Sequence, residues 1–215
     1  MNRLKIPAAP SVRRLPAYLH LVKQAQEEGY DFISGTVIAQ ELNLEPIQVR
    51  KDFAITGITG VPKRGFPVAP LIAAIERFLG WDAKRNAVIV GAGNLATALT
   101  GYQEFKFHGL HFLAAFDSDE AKVGGDIHGV AIYAVRDLAE MTARLDAKIA
   151  ALTVPSAAAQ ETAAASVGAG IKAIWNFTNV KIKVPDGVSV QREDLTSGYA
   201  MLCVMMQPHA PRVKE

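Results

Sequence analysis

The sequence predicts an α/β chain: an N-terminal winged helix-turn-helix domain followed by a Rossmann-like, doubly wound parallel sheet. Three observations predict it. Residues 36–53, "TVIAQELNLEPIQVRKDF", read as a short helix, a tight turn and a second helix ending in basic residues. Residues 86–99, "NAVIVGAGNLATAL", read as an apolar strand running through a glycine-rich turn into a helix. Beyond them, strand-like runs (HFLAAFD, IAALTVP, IKAIWNF) alternate with helical ones, the pattern of a parallel sheet with crossover helices.

The front of the chain is justified element by element. Leu15, Tyr18, Leu19 and Val22 recur at helical spacing, with Ser11 as a candidate N-cap and Gly29 as a stop. Pro16 is then either the first helical residue or the site of a distorted first turn. Ser34 opens a second helix to about Leu42, Asn43 supplies the turn, and Glu45-Pro46 opens a third. Small Ala39 marks a close helix crossing. Leu42, Leu44, Ile47 and Val49 are expected on the packed inner side, leaving Arg50 and Lys51 outside. The glycines of "TGITGVPKRGF" predict a hairpin with Lys63 and Arg64 near its tip, the form of a wing. Residues 70–80 make a short amphipathic helix that ends at Gly80 and closes a first domain, 1–80; residues 81–86 are the junction.

Composition narrows the classes of function. Half of the 215 residues are hydrophobic, so a packed core is expected and disorder is not. No apolar run approaches the roughly 18 residues of a membrane span, and the N-terminus has no apolar signal core. One cysteine, Cys203, provides neither a disulfide framework nor a zinc site, and a reduced cytoplasmic compartment is expected. Net charge is +2, but residues 1–80 carry ten Lys/Arg against seven Asp/Glu, while residues 81–215 carry thirteen against fourteen. An anionic partner for the front half follows from that asymmetry.

Gly91-Ala92-Gly93-Asn94-Leu95-Ala96 is G-x-G-x-x-A in the setting that gives the motif meaning. Gly91 allows the tight turn, Gly93 lets backbone approach a pyrophosphate, and Ala96 keeps the helix close to the sheet. The helix N-terminus supplies N–H groups for the phosphates. Asp117 closes the next strand, 26 residues after Gly91, where its carboxylate accepts from an adenosine ribose and repels a 2′-phosphate. NAD(H) is therefore expected rather than NADP(H). A catalytic set is not legible. His108 and His111 precede the second strand, at the wrong end of the sheet; His128 sits in a glycine-rich loop and His209 in the tail. Tyr102 lies in the helix after the glycine turn with no lysine partner, and Cys203 belongs to an apolar helix face. The chain is read as a binding protein, not an enzyme and not a metalloprotein.

In this order the motifs "SVRRLPAYL", "QVRKDF", "KRG", "VGAGNLATAL", "FDSDEAKVG", "VPSAAAQE", "AGIKAIWNF" and "DLT" resemble the Rex redox-sensing transcriptional repressors of bacteria over nearly the whole chain. The resemblance implies a homodimer whose winged helix binds a palindromic double-stranded operator and whose Rossmann domain, 81–194, binds NADH or NAD+. NADH favours a closed form that releases the DNA. Residues 195–215 would form a C-terminal helix, swapped onto the partner, and a tail. Matched motif by motif, Arg50 and Lys51 lie at the major groove with Gln48 one turn back, and Lys63 and Arg64 at the minor groove. Gly91, Ala92, Gly93, Asn94 and Leu95 line the pyrophosphate; Asp117 and Lys122 lie near the adenosine; Val154, Pro155, Asn176 and Phe177 flank the nicotinamide side. Tyr102 and Asp194 link cofactor state to domain orientation. The chain departs from the family pattern at His20, where many members carry Arg, at a wing two residues longer, at "NFT" for "NFAP", and at Leu195, where some members place an aromatic. The alternatives are an NAD-dependent oxidoreductase with a helical cap, which needs a substrate pocket and a catalytic group, and a nucleotide- or CoA-binding module.

Overall fold

The structure, a computed structural model, describes residues 9–207. His209 and the rest of the tail lie outside the described residues. The chain divides into two compact units, Met1–Ala83 and Lys84–Glu215.

In the first unit, α1 (Ala9–Glu27) starts earlier than expected and runs through Pro16. Pro16 is exposed, so its ring meets solvent, and Ser11 does not cap: it is buried inside the helix, on the side that faces α3 (Pro46–Ala54). Between them, Ser34 caps α2 (Gly35–Glu41) by accepting from the Thr36 N–H at 3.1 Å. Asn43 takes the left-handed conformation that a one-residue reversal requires (φ 51°), and Pro46 begins α3 where no N–H is needed. Tyr18, Phe53 and Phe66 stack edge to face, with centroids 5.2 and 4.9 Å apart, at the centre of a core completed by Leu15, Leu19, Val22, Ile38, Val49, Leu71 and Ile75. Truncating the Phe53 ring would cost about 3–5 kcal/mol.

Two expectations for this unit need correction. Ile47 is not on the packed side; it is 58% exposed, because a helix that buries Val49, Asp52 and Phe53 turns position 47 to the opposite face. The wing is not a regular hairpin. A single bridge, Val61 to Gly65, closes the tip, and β2 (Phe66–Pro67) pairs instead with β1 (Phe32–Ile33), antiparallel. Pro62 and Pro67 remove two ladder donors. Gly65 is obligatory there: at φ 93° a Cβ would sit 2.3 Å from the Ile33 carbonyl oxygen. The amphipathic α4 (Val68–Leu79) then ends on Gly80 in the left-handed conformation.

The second unit is built on a seven-stranded sheet. Its strands are β3 (Arg85–Val90), β4 (Leu110–Asp117), β5 (Asp126–Ile127), β6 (Val130–Ala134), β7 (Ile149–Leu152), β8 (Ala173–Asn176) and β9 (Ser189–Arg192). Their order is β5-β6-β4-β3-β7-β8-β9, parallel except for β5. The chain leaves β3 toward β4 and β6, then crosses back to β7 on the other side of β3. That reversal opens a crevice at the C-terminal ends of β3 and β7. Strands β5, β6 and β9 and helix α7 (Leu138–Arg144) join the elements read from the sequence.

The helix after the glycine turn is broken. α5 (Asn94–Gly101) stops, Tyr102 is extended, and α6 (Gln103–Phe107) restarts. Tyr102 is therefore at a junction, not within a helix. The His128 imidazole packs so closely on Gly101 that a Cβ there would be 2.8 Å from Nε2. The Ala-rich α8 (Ala159–Gly168) buries Ala159, Ala163 and Ser166, small side chains that allow close seating on the sheet. The last helix is α9 (Ser197–Met205).

Candidate functional sites

The exposed face of α3 carries Ile47, Arg50, Lys51 and Ala54, spaced i, i+3, i+4 and i+7. Arg50 and Lys51 are thus where the sequence puts them. Gln48 is on the flank, and its amide is engaged: Nε2 donates to Asp52 Oδ1 at 2.8 Å. Asp52 is fully buried and is the centre of a network that sequence reasoning missed. It accepts from Arg14 Nε (2.7 Å) and Nη2 (3.0 Å) and from the Tyr18 hydroxyl (2.6 Å). Burial pushes the Asp52 carboxyl up, but the donors Arg14, Ser11, Tyr18 and Gln48 outweigh it and hold the group well below the usual carboxylate range. The Tyr18 hydroxyl is raised, first by burial and then by its bond to Asp52. The visible signal was an acid between Val49 and Phe53, at the inner positions of an otherwise basic helix.

At the wing tip Lys63 has φ 63° and is exposed. The Arg64 guanidinium lies over the Phe32 ring, 3.8 Å from its centroid, a cation–π contact that fixes the direction of the side chain.

In the second unit the predicted binding residues converge at the C-terminal ends of β3, β4, β7 and β8. Gly91 and Gly93 differ in why they are glycine. Gly91 is required by the fold: φ is 101°, and a Cβ would lie 2.9 Å from the Thr153 carbonyl. The Thr153 hydroxyl donates to Gly91 O at 2.7 Å, locking the two loops together. Gly93, the N-cap of α5, has an ordinary φ of −103°, and a Cβ there would meet no atom within 4 Å. No described atom excludes a side chain at that position, which stands at the N-terminus of α5, where glycine is also an accepted N-cap. Asn94 is exposed beside it, Leu95 is half-buried, and Ala92 and Ala96 are buried against the sheet.

Asp117 Oδ2 accepts from the Ala92 N–H (2.8 Å) and Lys122 Nζ (3.0 Å), and Oδ1 from the Asp119 N–H (2.9 Å). Burial raises this carboxyl, but the Asp119 N–H, Lys122 and the Ala92 N–H together lower it, so it stays ionised. The acid thus braces the glycine loop as well as facing the crevice, and Lys122 stands beside it as expected. Val154 is half-buried and Pro155 exposed in the loop after β7. The Asn176 side chain is engaged within the chain: Oδ1 accepts from the Thr178 N–H and hydroxyl, and Nδ2 donates to Val180 O. It shapes the 177–180 turn. Phe177 stacks on Trp175 at 4.8 Å.

The three residues expected to form the switch are placed as follows. His20 is on the exposed face of α1. Tyr102 is 54% exposed and packs edge-on against Phe105 at 5.0 Å. Asp194 is exposed, accepts from the Thr196 N–H (2.9 Å) and hydroxyl (2.6 Å), and is lowered by them. After it, Leu195, Tyr199, Met201, Leu202, Val204, Met205 and Met206 are all exposed on or beside α9, a contiguous apolar surface of the kind that marks an interface.

Comparison with known proteins agrees with this division. Residues 5–54 match a family described as putative DNA-binding protein N-terminus, and residues 82–180 match the CoA binding domain family. The redox-sensing transcriptional repressor Rex of Treponema denticola is 62% identical over 206 residues, covering 96% of this chain and 98% of the relative. That of Bacteroides thetaiotaomicron is 40% identical, covering 94% and 90%. Among solved structures, RSP in complex with β-NAD+ and operator DNA matches with a TM-score of 0.86 at 30% identity, over 94% of this chain and 93% of that one. RSP in complex with β-NADH matches with a TM-score of 0.84 at 29% identity, over 94% of each chain.

Proposed function

The chain belongs to the Rex family of redox-sensing transcriptional repressors, and from that premise we propose that it represses transcription from a palindromic operator and is released by NADH. It is a repressor, not an enzyme. The observation that carries the reading is the pairing, in one chain, of a glycine turn that opens on a helix N-terminus (Gly91 to Gly93, before α5) with a helix whose exposed face carries Arg50 and Lys51 (α3).

When bound, the dinucleotide supplies the redox signal. The chain's own residues do the rest. The N–H groups at the start of α5 receive the pyrophosphate beside Gly91, Ala92, Gly93, Asn94 and Leu95. Asp117, kept ionised, accepts from the adenosine ribose and disfavours a 2′-phosphate, with Lys122 neutralising its other side. Val154, Pro155 and the backbone at Asn176 and Phe177 border the nicotinamide side. On the DNA side, Arg50 and Lys51 enter the major groove and Lys63 and Arg64 reach the minor groove. Gln48, held by Asp52, supports the helix more than it probes the groove. The apolar face of α9 joins two chains into the homodimer that a two-fold operator needs, with residues 1–80, 81–194 and 195–215 as the DNA-binding, cofactor-binding and dimerising parts. His20, Tyr102 and Asp194 form the switch, and the protein works in the cytoplasm.

NADH acts only if it binds the released form more tightly than the DNA-bound one. A hundredfold loss of operator affinity requires about 2.7 kcal/mol of that difference. Fluorescence anisotropy on a palindromic Rex-type operator, titrated separately with NADH and NAD+, tests this. Dissociation by NADH and not by NAD+ at equal concentration is expected. Turnover of NADH with a small carbonyl compound, or binding of CoA and not NADH, would favour the oxidoreductase or the CoA-binding module instead.

A further inference from the structure

Ile47 is out of character with its surroundings. It is 58% exposed at the start of the exposed face of α3, in line with Arg50, Lys51 and Ala54. Single exposed apolar residues are common on protein surfaces, so exposure alone says little. Its place says more. A β-branched residue in the first turn of a nine-residue helix adds nothing to helix stability, and the core of the unit does not use it. The next two positions of the same face, Arg50 and Lys51, are cationic, which sets that face against an anionic partner. The first turn of the second helix in a helix-turn-helix is also the part that comes nearest to base edges. Of the groups displayed in the major groove, the thymine C5-methyl is the one that an aliphatic side chain can recognise.

We infer that Ile47 is a specificity-determining residue that packs on a thymine methyl in each operator half-site. This rests on the DNA-binding reading above. It adds an apolar contact, insensitive to salt, to the charge-based contacts of Arg50 and Lys51. It also assigns a T·A pair to the part of the half-site faced by the start of α3. The methyl contact is worth about fourfold in affinity per half-site, the value of one buried methylene-sized group.

The test uses the full chain and a duplex enriched by it from a random pool. Each thymine in turn is replaced by deoxyuridine, which removes the methyl and nothing else. Binding is measured for the native chain, for Ile47→Ala and for Arg50→Ala. The expected result is one thymine per half-site whose methyl matters about fourfold to the native chain and to Arg50→Ala, and not to Ile47→Ala. Ile47→Ala should also melt at the native temperature and keep the native salt dependence, and should that variant not fold, the deoxyuridine series on the native chain still locates the methyl. If Arg50→Ala weakens binding but no thymine methyl matters, the Ile47 contact is wrong and the repressor reading stands. If methyl loss costs Ile47→Ala as much as the native chain, another residue makes the contact. If no duplex is enriched, both readings fall.

Discussion

The guanidinium of Arg14 forks onto the carboxylate of Asp52, Nε to Oδ2 at 2.7 Å and Nη2 to Oδ1 at 3.0 Å, and so ties α1 to α3. Asp52 is wholly buried, while the Arg14 side chain is 28% exposed. Removing Arg14 strands a buried charge, at a cost of roughly 3 kcal/mol, and removing Asp52 deprives Arg14, Tyr18 and Gln48 of their shared acceptor. Urea unfolding of Asp52→Asn and Arg14→Met, followed through Trp81 in a Trp175→Phe background, should show that loss. The double variant Arg14→Met/Asp52→Leu should recover only part of it: no unpaired charge remains, but the buried Tyr18 hydroxyl loses its acceptor.

The same carboxylate sets an acid limit. Its folded pKa lies below the unfolded value of about 3.9, so the stability it contributes is complete above that value and is lost as pH falls toward the folded pKa. Stability of the first unit should therefore lose nothing from this group between pH 5 and 8 and should begin to fall below about pH 4. In Asp52→Asn this part of the acid decline should be missing, though the variant starts lower. Circular dichroism melts across pH 2.5–8 (a range of about five units) make the comparison.

Gly91 and Gly93 should separate folding from binding. Gly91→Ala meets the Thr153 carbonyl at 2.9 Å and carries a positive φ, so it should lower the melting temperature clearly. Gly93→Ala should cost at most about 1 kcal/mol as an altered N-cap, yet weaken NADH binding at least about tenfold, since its methyl occupies the ligand's approach. Differential scanning calorimetry and a titration of NADH fluorescence read the two effects independently.

The apolar face of α9 should behave as an interface. Leu202→Glu places a charge in a surface that is exposed in the single chain and should shift sedimentation from dimer to monomer. Operator affinity should fall with it, as one half-site is lost, while NADH binding to the second unit should survive.

What the sequence disclosed and what it hid have physical causes. Ser34, Asn43 and Pro46 were readable because caps and turns demand particular residues, and the glycine turn because phosphates do. Ile47 was misplaced because an apolar residue next to Leu44 and Val49 satisfies a core pattern as easily as an exposed one. The break at Tyr102 was invisible because the apolar spacing continues across it; the His128 imidazole that packs beside it on Gly101 is remote in sequence. β9, Ser189–Arg192, is exposed throughout and has no apolar alternation to detect. The wing kept its charges but lost its ladder, since Pro62 and Pro67 count as turn signals in the sequence and as missing donors in three dimensions. For the binding residues, position along the sheet was legible, but occupation was not: only the geometry shows the amides of Gln48 and Asn176 already in use.

The bond from Thr153 to Gly91 has a wider meaning. It makes the turn after β3 and the turn after β7 a single stiff ledge, with no slack between the places where the two ends of a dinucleotide would rest. A stiff ledge is a poor detector of one hydride, because it cannot yield differently to two nearly identical molecules. It is a good fulcrum, passing on undiminished any tilt that arises at its rim. Oxidised and reduced cofactor should accordingly share the same footing, and the difference between them should be felt by the pieces around the ledge: the extended link at Tyr102 and the Asp194 turn that leads into α9.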